Sequence, residues 1–466
     1  MKKILAFFFL LLMAQHAAGQ SDKGILKVTP NGHYLQFENG EPFFWLGDTG
    51  WNLFLRLTID EITKYLDNRK AKGFNVIQAV ILAETDGLRV PNKYGDVPLI
   101  NMDPAKPNEN YFKLVDSVVT LAAERNMIMA LLPAWGDKVT LHFGGHGPVI
   151  FNKDNAYTFA QFLGKRYRDH NNIVWVLGGD RPPKDDCNNY IDVYRAMAKG
   201  IKDGSGKNTI ISFHPGGSIW ETSPVIHTEK WMDYNMIQSG HSALDAPVWR
   251  QIWRDWYLQP TKPVIDSEPC YEDHPVNPWP TWDPARGYFR DYEVRKQLYR
   301  SVFAGGFGVT YGHHAIWQFY NPTVEKINYP DRYWYEALDR PGAYHAGYLR
   351  KLVESRPYNQ RIPDSTIVIN GQGTENAEHI EAFRDEQGRY LMVYLPVGKK
   401  ITVRTAAIPS KKINAYWFNP KDMKVMNIKG TRNTQQLTVE PPTTGKGNDW
   451  VLVVDDASQK FKAPGK

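Results

Sequence analysis

Cysteine is almost missing from this chain: two residues in 466, Cys187 and Cys270, too few for a disulfide framework or a structural zinc site. The pair leaves two readings, one bridge or two separate thiols. A dominant charge is missing as well, since 56 Lys and Arg stand against 50 Asp and Glu. A net +6 on that total does not mark a polyanion binder, so nucleic acid is not an expected partner. Past the first twenty residues, no segment approaches the roughly 20 consecutive apolar residues that span a bilayer. Three motifs are also absent: a Gly-rich phosphate fingerprint after the first strand, a His-x-His pair on that strand, and a His-Glu-x-x-His helix. No cofactor and no metal are therefore expected. What is present is 42% hydrophobic and 13% aromatic residues, enough for one large barrel plus a smaller domain and too much for a disordered chain.

The N-terminus has the pattern of an export signal. Lys2 and Lys3 precede the apolar run Ile4 to Met13, and Ala17-Ala18-Gly19 offers a cleavage point before Gln20. The expectation is a signal peptide over residues 1–19 and an exported mature protein, periplasmic or secreted, with no membrane span.

A short hairpin follows, with Asn39-Gly40 joining Tyr34–Phe37 to Pro42–Trp45. Eight short apolar runs then alternate with stretches that can hold a helix: 43–47, 74–82, 127–133, 173–177, 209–213, 235–238, 263–265 and 308–311. Most are continuous rather than alternating, as parallel strands buried on both faces require. Thr58-Ile59-Asp60-Glu61 reads as a capping box, and Ile62, Tyr65, Leu66 and Arg69 follow at helical intervals until Gly73. Eight βα units over residues 20–360 predict a (β/α)8 TIM barrel, with a doubly wound sheet as the runner-up. After Arg356-Pro357 the runs become short and punctuated by turns, predicting a C-terminal antiparallel β-sandwich over residues 361–466. That segment holds 16 Lys and Arg against 11 Asp and Glu, so the basic excess belongs to it and the barrel is nearly neutral.

In such a barrel the chemistry sits at the C-terminal ends of the strands. The polar residues there are Asp48, Gln78, Glu84, Asp137, Asp180, His214, His241, Glu268, His313 and His314, with Trp135 among them. Two acids differ from the rest by context. Gly178-Gly179 carries Asp180 out of the fourth run, and Pro263–Ile265 delivers Glu268 just past the seventh. Two carboxylates in one mouth suit glycoside hydrolysis, one protonating the leaving oxygen and the other attacking or activating water. Arg181 beside Asp180 offers the bland alternative of an ion pair, and Asp266 and Glu272 are rivals to Glu268. The histidines fit hydrogen bonds to sugar hydroxyls better than metal ligation. Trp135, Trp220, Trp279, Trp282 and Trp317 fall in loops or at strand ends, where flat faces can stack on sugar C–H surfaces.

Four stretches, Pro42–Thr49, Gly73–Ala79, Asn172–Asp180 and Asp266–Pro269, resemble the apiosidase-like glycoside hydrolases of family 140, in the same order. The C-terminal segment is similar to the collagen-binding-type β-domain that follows the barrel in that family. The resemblance implies an enzyme that cleaves apiosyl linkages in side chains of the pectic polysaccharide rhamnogalacturonan II, with Asp180 and Glu268 as the catalytic pair. Asp48, Gln78, Glu84, Trp135, His214, His241, Trp282, His313 and His314 are then candidates to bind the substrate. Two other readings predict no turnover: a glycan-binding protein without catalysis, or a matrix adhesin acting through the C-terminal domain.

Overall fold

The computed structural model describes residues 23–185, 187–217, 222–276, 283–429 and 432–466. Three short strands open it, β1 (Leu26–Val28), β2 (Leu35–Phe37) and β3 (Pro42–Phe43), paired antiparallel. The Asn39-Gly40 turn lies between β2 and β3 as expected, while β1 is an addition.

All eight predicted runs are strands of one parallel sheet. They are β4 (Trp45–Thr49), β5 (Val76–Leu82), β6 (Ile128–Ala134), β7 (Ile173–Gly178), β8 (Ile211–His214), β9 (Asn235–Ile237), β10 (Val264–Asp266) and β11 (Gly308–Tyr311). Their order, β8-β7-β6-β5-β4-β11-β10-β9, is that of a barrel cut at one seam. Across the seam β8 and β9 are joined by local bonds rather than a ladder. Asp233 accepts from Ile211 N at 2.8 Å, Asp233 N donates to Ile211 O, and Ser212 Oγ donates to Tyr234 O at 2.6 Å. The doubly wound alternative is set aside.

Each strand divides its residues between two cores. Trp45, Val80, Leu132, Val176, Met236 and Ile265 fill the barrel interior, while Leu46, Ile77, Leu131 and Leu177 face the helices. Gly308 makes that interior possible at one point, because a Cβ there would stand 2.2 Å from Trp45 O. The capping box forms as read, with Thr58 and Glu61 closing the N-terminus of the helix Ile59–Ala71.

The C-terminal segment is a two-sheet antiparallel sandwich. Six strands, β12 (Arg361–Pro363), β14 (Glu381–Asp385), β15 (Tyr390–Leu395), β20 (Trp450–Asp456), β17 (Ile413–Phe418) and β18 (Val425–Ile428), form one sheet. β13 (Val368–Asn370), β16 (Ile401–Arg404) and β19 (Gln436–Val439) form the other, over a shared core that includes Leu391, Val403 and Leu452. The outer face of the larger sheet packs on the barrel helix Asp291–Phe303. Tyr299 stacks on Tyr394 at 4.8 Å, and the buried Arg295 donates twice to Asp449 at 2.8 and 2.7 Å. Both cysteines are free thiols, Cys187 exposed and Cys270 buried, which resolves the open pair. Among the described residues no helix is long and apolar enough to cross a membrane.

Candidate active site

The C-terminal ends of the strands open on a cleft of about 800 Å³. β7 delivers Asp180 to it through two glycines in left-handed backbone, Gly178 at φ +83° and Gly179 at φ +120°. A Cβ on Gly178 would lie 2.5 Å from His214 O, and one on Gly179 2.7 Å from the Trp135 ring. Only glycine lets the chain lie that close to both neighbours and turn Asp180 inward. Asp180 itself sits at φ +53°, a strained conformation of the kind held at functional sites.

Glu268 follows β10 by two residues, and its segment is gripped on three sides. Ser267 N donates to Ile237 O at 2.9 Å, Gln78 Nε2 to Ser267 O at 2.9 Å, and Gly240 N to Glu268 O at 3.1 Å. Its carboxylate meets two imidazoles: His241 Nε2 is 3.3 Å from Oε1, and His214 Nε2 is 3.0 Å from Oε2. His241 Nδ1 accepts the Tyr271 backbone N–H at 3.2 Å, so the ring's proton is on Nε2 and points at Glu268.

The two acids are close. Asp180, His214 and Glu268 each bring one oxygen or nitrogen within 4.8 Å of the others, the one such group of donors among the described residues that could hold a metal ion. Their environments push the carboxyls apart. Burial, and then the neighbouring Glu268 charge, push the Asp180 carboxyl up to about 7. Burial would raise Glu268 too, but the facing imidazoles of His214 and His241 outweigh it and hold Glu268 below the ordinary glutamate range. The arrangement keeps one carboxyl protonated up to about neutral pH and the other ionised.

The alternatives of the sequence are placed elsewhere. Arg181 turns away from the Asp180 carboxylate, donating to Glu84 at 2.7 Å, to Gly144 O at 3.2 and 3.0 Å, and to the Asp180 carbonyl at 2.9 Å. Asp266 is wholly buried and takes Ser239 Oγ at 2.7 Å and Ser301 Oγ at 3.1 Å, holding the loop that carries Gln238 and His241. Glu272 accepts from Tyr311 OH at 2.6 Å and Gly342 N at 3.2 Å, away from the cleft.

Of the candidate substrate contacts, Glu84, Trp135 and His241 line the cleft with Asp180 and Glu268, and His214 lies beneath them against Trp51 and Trp135. Asp48 does not reach it. That residue is fully buried, bound to Arg69 Nε at 2.5 Å and Tyr65 OH at 2.6 Å, because the helix Ile59–Ala71 turns a cation inward. Asp137 is buried in an ion pair with Lys138 at 2.9 Å. His313 is another correction, since it caps the helix His314–Trp317 and bonds Asp273 at 3.1 Å. His314 sits behind the wall, bonded to Asn328 O at 2.6 Å and Trp317 Nε1 at 3.3 Å. Gln78 donates to Ser267 O, the carbonyl just before Glu268, from inside the barrel. The Trp135 ring is only 3% exposed and packs on Trp51, His214 and Gly179, so it offers a sugar little of its face. Trp220, Trp279 and Trp282 lie outside the described residues.

The structure adds Trp51, Gln238, Tyr271, His274 and Asn328 to the cleft. Gln238, Tyr271 and His274 share short segments with His241 and Glu268, a proximity visible in the sequence. His274 stacks on His241 at 4.1 Å.

Comparison with known proteins converges on one group. The family model described as the apiosidase-like catalytic domain matches residues 29–360, and the model named for the collagen-binding domain of a collagenase matches residues 362–455. A solved structure titled glycoside hydrolase is 32% identical, with a TM-score of 0.86 over 96% of this chain and 100% of its own. A second, titled glycoside hydrolase family 5 from Bacteroides vulgatus ATCC 8482, is 30% identical, with a TM-score of 0.87 over 96% of this chain and 97% of its own. A family 27 β-L-arabinopyranosidase from Geobacillus stearothermophilus, 10% identical, has a TM-score of 0.51 over 90% of this chain and 98% of its own, a likeness of fold alone. No curated protein sequence matches.

Proposed function

Because the chain belongs to the apiosidase-like family of glycoside hydrolases, we propose that it cleaves apiosyl linkages, in pectic side chains of the rhamnogalacturonan II type, with retention of anomeric configuration. The observation that carries the mechanism is the carboxyl pair: oxygens within 4.8 Å, one acid pushed up and the other held down. Carboxyls about 5–5.5 Å apart serve double displacement, whereas inversion needs roughly 6.5–9.5 Å to admit a water.

In the first step Asp180 gives its proton to the glycosidic oxygen while Glu268 attacks the anomeric carbon. The C–O bond to the leaving group breaks, an alcohol departs, and a glycosyl ester forms on Glu268. In the second step water attacks the same carbon, Asp180 takes its proton, and the ester bond breaks to return Glu268 as carboxylate. His214 and His241 keep Glu268 ionised for the attack, and Arg181 steadies the strained turn that presents Asp180. Export through the N-terminal segment 1–19 accords with a polysaccharide substrate outside the cell.

The test is hydrolysis of defined apiosyl oligosaccharides, following the product anomer by NMR in the first minutes. Release of the sugar with its original configuration is expected. An inverted first product sinks the double displacement, and failure to act on any apioside while cleaving another glycoside sinks the substrate assignment.

A further inference from the structure

Outside the carboxyl pair, two polar atoms of the cleft wall have no partner among the described residues, although each belongs to a side chain more than nine-tenths buried. Trp135 is 3% exposed and its Nε1–H donates to nothing; Gln238 is 6% exposed and its Oε1 accepts from nothing. A buried donor or acceptor left unmade costs the fold free energy. The cost is recovered when a ligand supplies the missing half of each bond.

Both side chains are fixed by what surrounds them. Trp135 is wedged between Trp51 at 5.2 Å, His214 at 5.6 Å and the backbone of Gly179. Gln238 follows β9 on the segment that brings His241 to Glu268, and Ser239 next to it is tied to Asp266 at 2.7 Å. Gly217 faces the Gln238 amide with no side chain to cover it, since even an added Cβ would remain 3.8 Å away.

We infer that Gln238 and Trp135 are the specificity-determining pair for the sugar that becomes bonded to Glu268: Gln238 accepts a hydrogen bond from one hydroxyl and Trp135 donates one to a second oxygen. The placement is on the glycone side, because Gln238 shares its segment with the nucleophile's partner and Trp135 abuts His214. The ligand class is a neutral sugar with free hydroxyls, recognised by its hydroxyl pattern rather than by stacking on Trp135. This rests on the hydrolase reading of the cleft and refines it.

The experiment measures kcat/KM for the parent, Gln238→Leu and Trp135→Phe on an aryl glycoside and on its full set of monodeoxy analogues. The probe is whichever aryl glycoside the parent turns over fastest, so a failed apiosyl assignment changes the probe and leaves this test standing. The parent should lose about 30-fold on the analogue lacking the hydroxyl that Gln238 holds. Gln238→Leu should lose about 30-fold on the complete sugar, yet come within about threefold of the parent on that one analogue, since both halves of the bond are then gone. Trp135→Phe should show the same pattern, about tenfold, on a different analogue. A loss of equal size on every analogue, or none on any, overturns the inference. Should Gln238→Leu not fold, Gln238→Met carries the same comparison.

Discussion

Asp180 and Asp273 are the same residue type on the same kind of backbone, φ +53° and +60°, and both lie in loops after barrel strands. Their neighbours differ. Asp273 is wholly buried among His313 at 3.1 Å, Arg290, Arg332 at 3.1 Å and Arg340 at 2.8 Å. Burial alone would raise its carboxyl, but the bond and charge of His313, joined by the arginines, hold it below the ordinary range. Asp180 has Glu268 opposite, and among the described residues no Arg or Lys bonds its carboxylate. A structural acid is surrounded by cations, whereas this acid is left beside another acid and keeps its proton. The electrostatic partner, not the strand-end position or the strained backbone, separates the two roles.

The largest expected effect breaks the comparison on the cleft side. Asp180→Asn and Glu268→Gln should each lower kcat by about 10³-fold or more, with circular dichroism unchanged, because each removes an acid, base or nucleophile while an amide of the same shape keeps the packing. Activity within tenfold of the parent would remove that residue from the mechanism.

Asp273→Asn should do the reverse. It leaves three guanidinium groups facing one another, so a stability loss of about 2–3 kcal/mol in denaturant titration is expected, less than a fully buried pair because the arginines are partly solvated. Turnover should stay within a few-fold. A carboxyl held low stabilises the fold above its unfolded pKa and loses that contribution as pH falls, so the gap between parent and variant should narrow below about pH 4. A gap that is constant with pH would mean the arginines do not depend on its charge.

How far this contrast is legible in the sequence depends on the range of the interaction. The barrel strands are readable because burial on both faces makes each a continuous apolar run; β18 and β19 carry no such run because they are short and largely exposed, and β12 because it is three residues long and two of them are Arg361 and Pro363. The strand-end rule finds Asp180 and Glu268 but ranks Asp48 with them. The correcting signal is present, since Arg69 falls on the same helical face as Ile62 and Leu66 and a cation on a buried face needs a buried anion. For His313 no such local signal exists: its partner Asp273 is 40 residues away across two loops. Gln238 carries the amide of an ordinary strand end, and only its Oε1, unpartnered among the described residues, marks it.

A subtler expectation concerns the pH profile. With Asp180 pushed up to about 7 and required as the acid, kcat/KM should fall about tenfold per pH unit above roughly that value, while the acid limb, set by Glu268, should lie below the ordinary glutamate range. In Asp180→Asn the residual activity should lose the basic limb. An unchanged basic limb in that variant would assign the proton to another group.

The smallest effect is on stability, and it has the opposite sign to that at Asp273. A carboxyl whose folded pKa is raised binds its proton more tightly in the folded state, so the fold loses stability as pH rises from the ordinary aspartate range through about 7. Asparagine has no charge to bury at any pH. Asp180→Asn should therefore be more stable than the parent at pH 8, by about 1–2 kcal/mol because the carboxyl opens on the water of the cleft, and should approach the parent near pH 3. Paired urea titrations at the two pH values decide it, and a difference that does not grow with pH would show that Asp180 is not the carboxyl holding the proton.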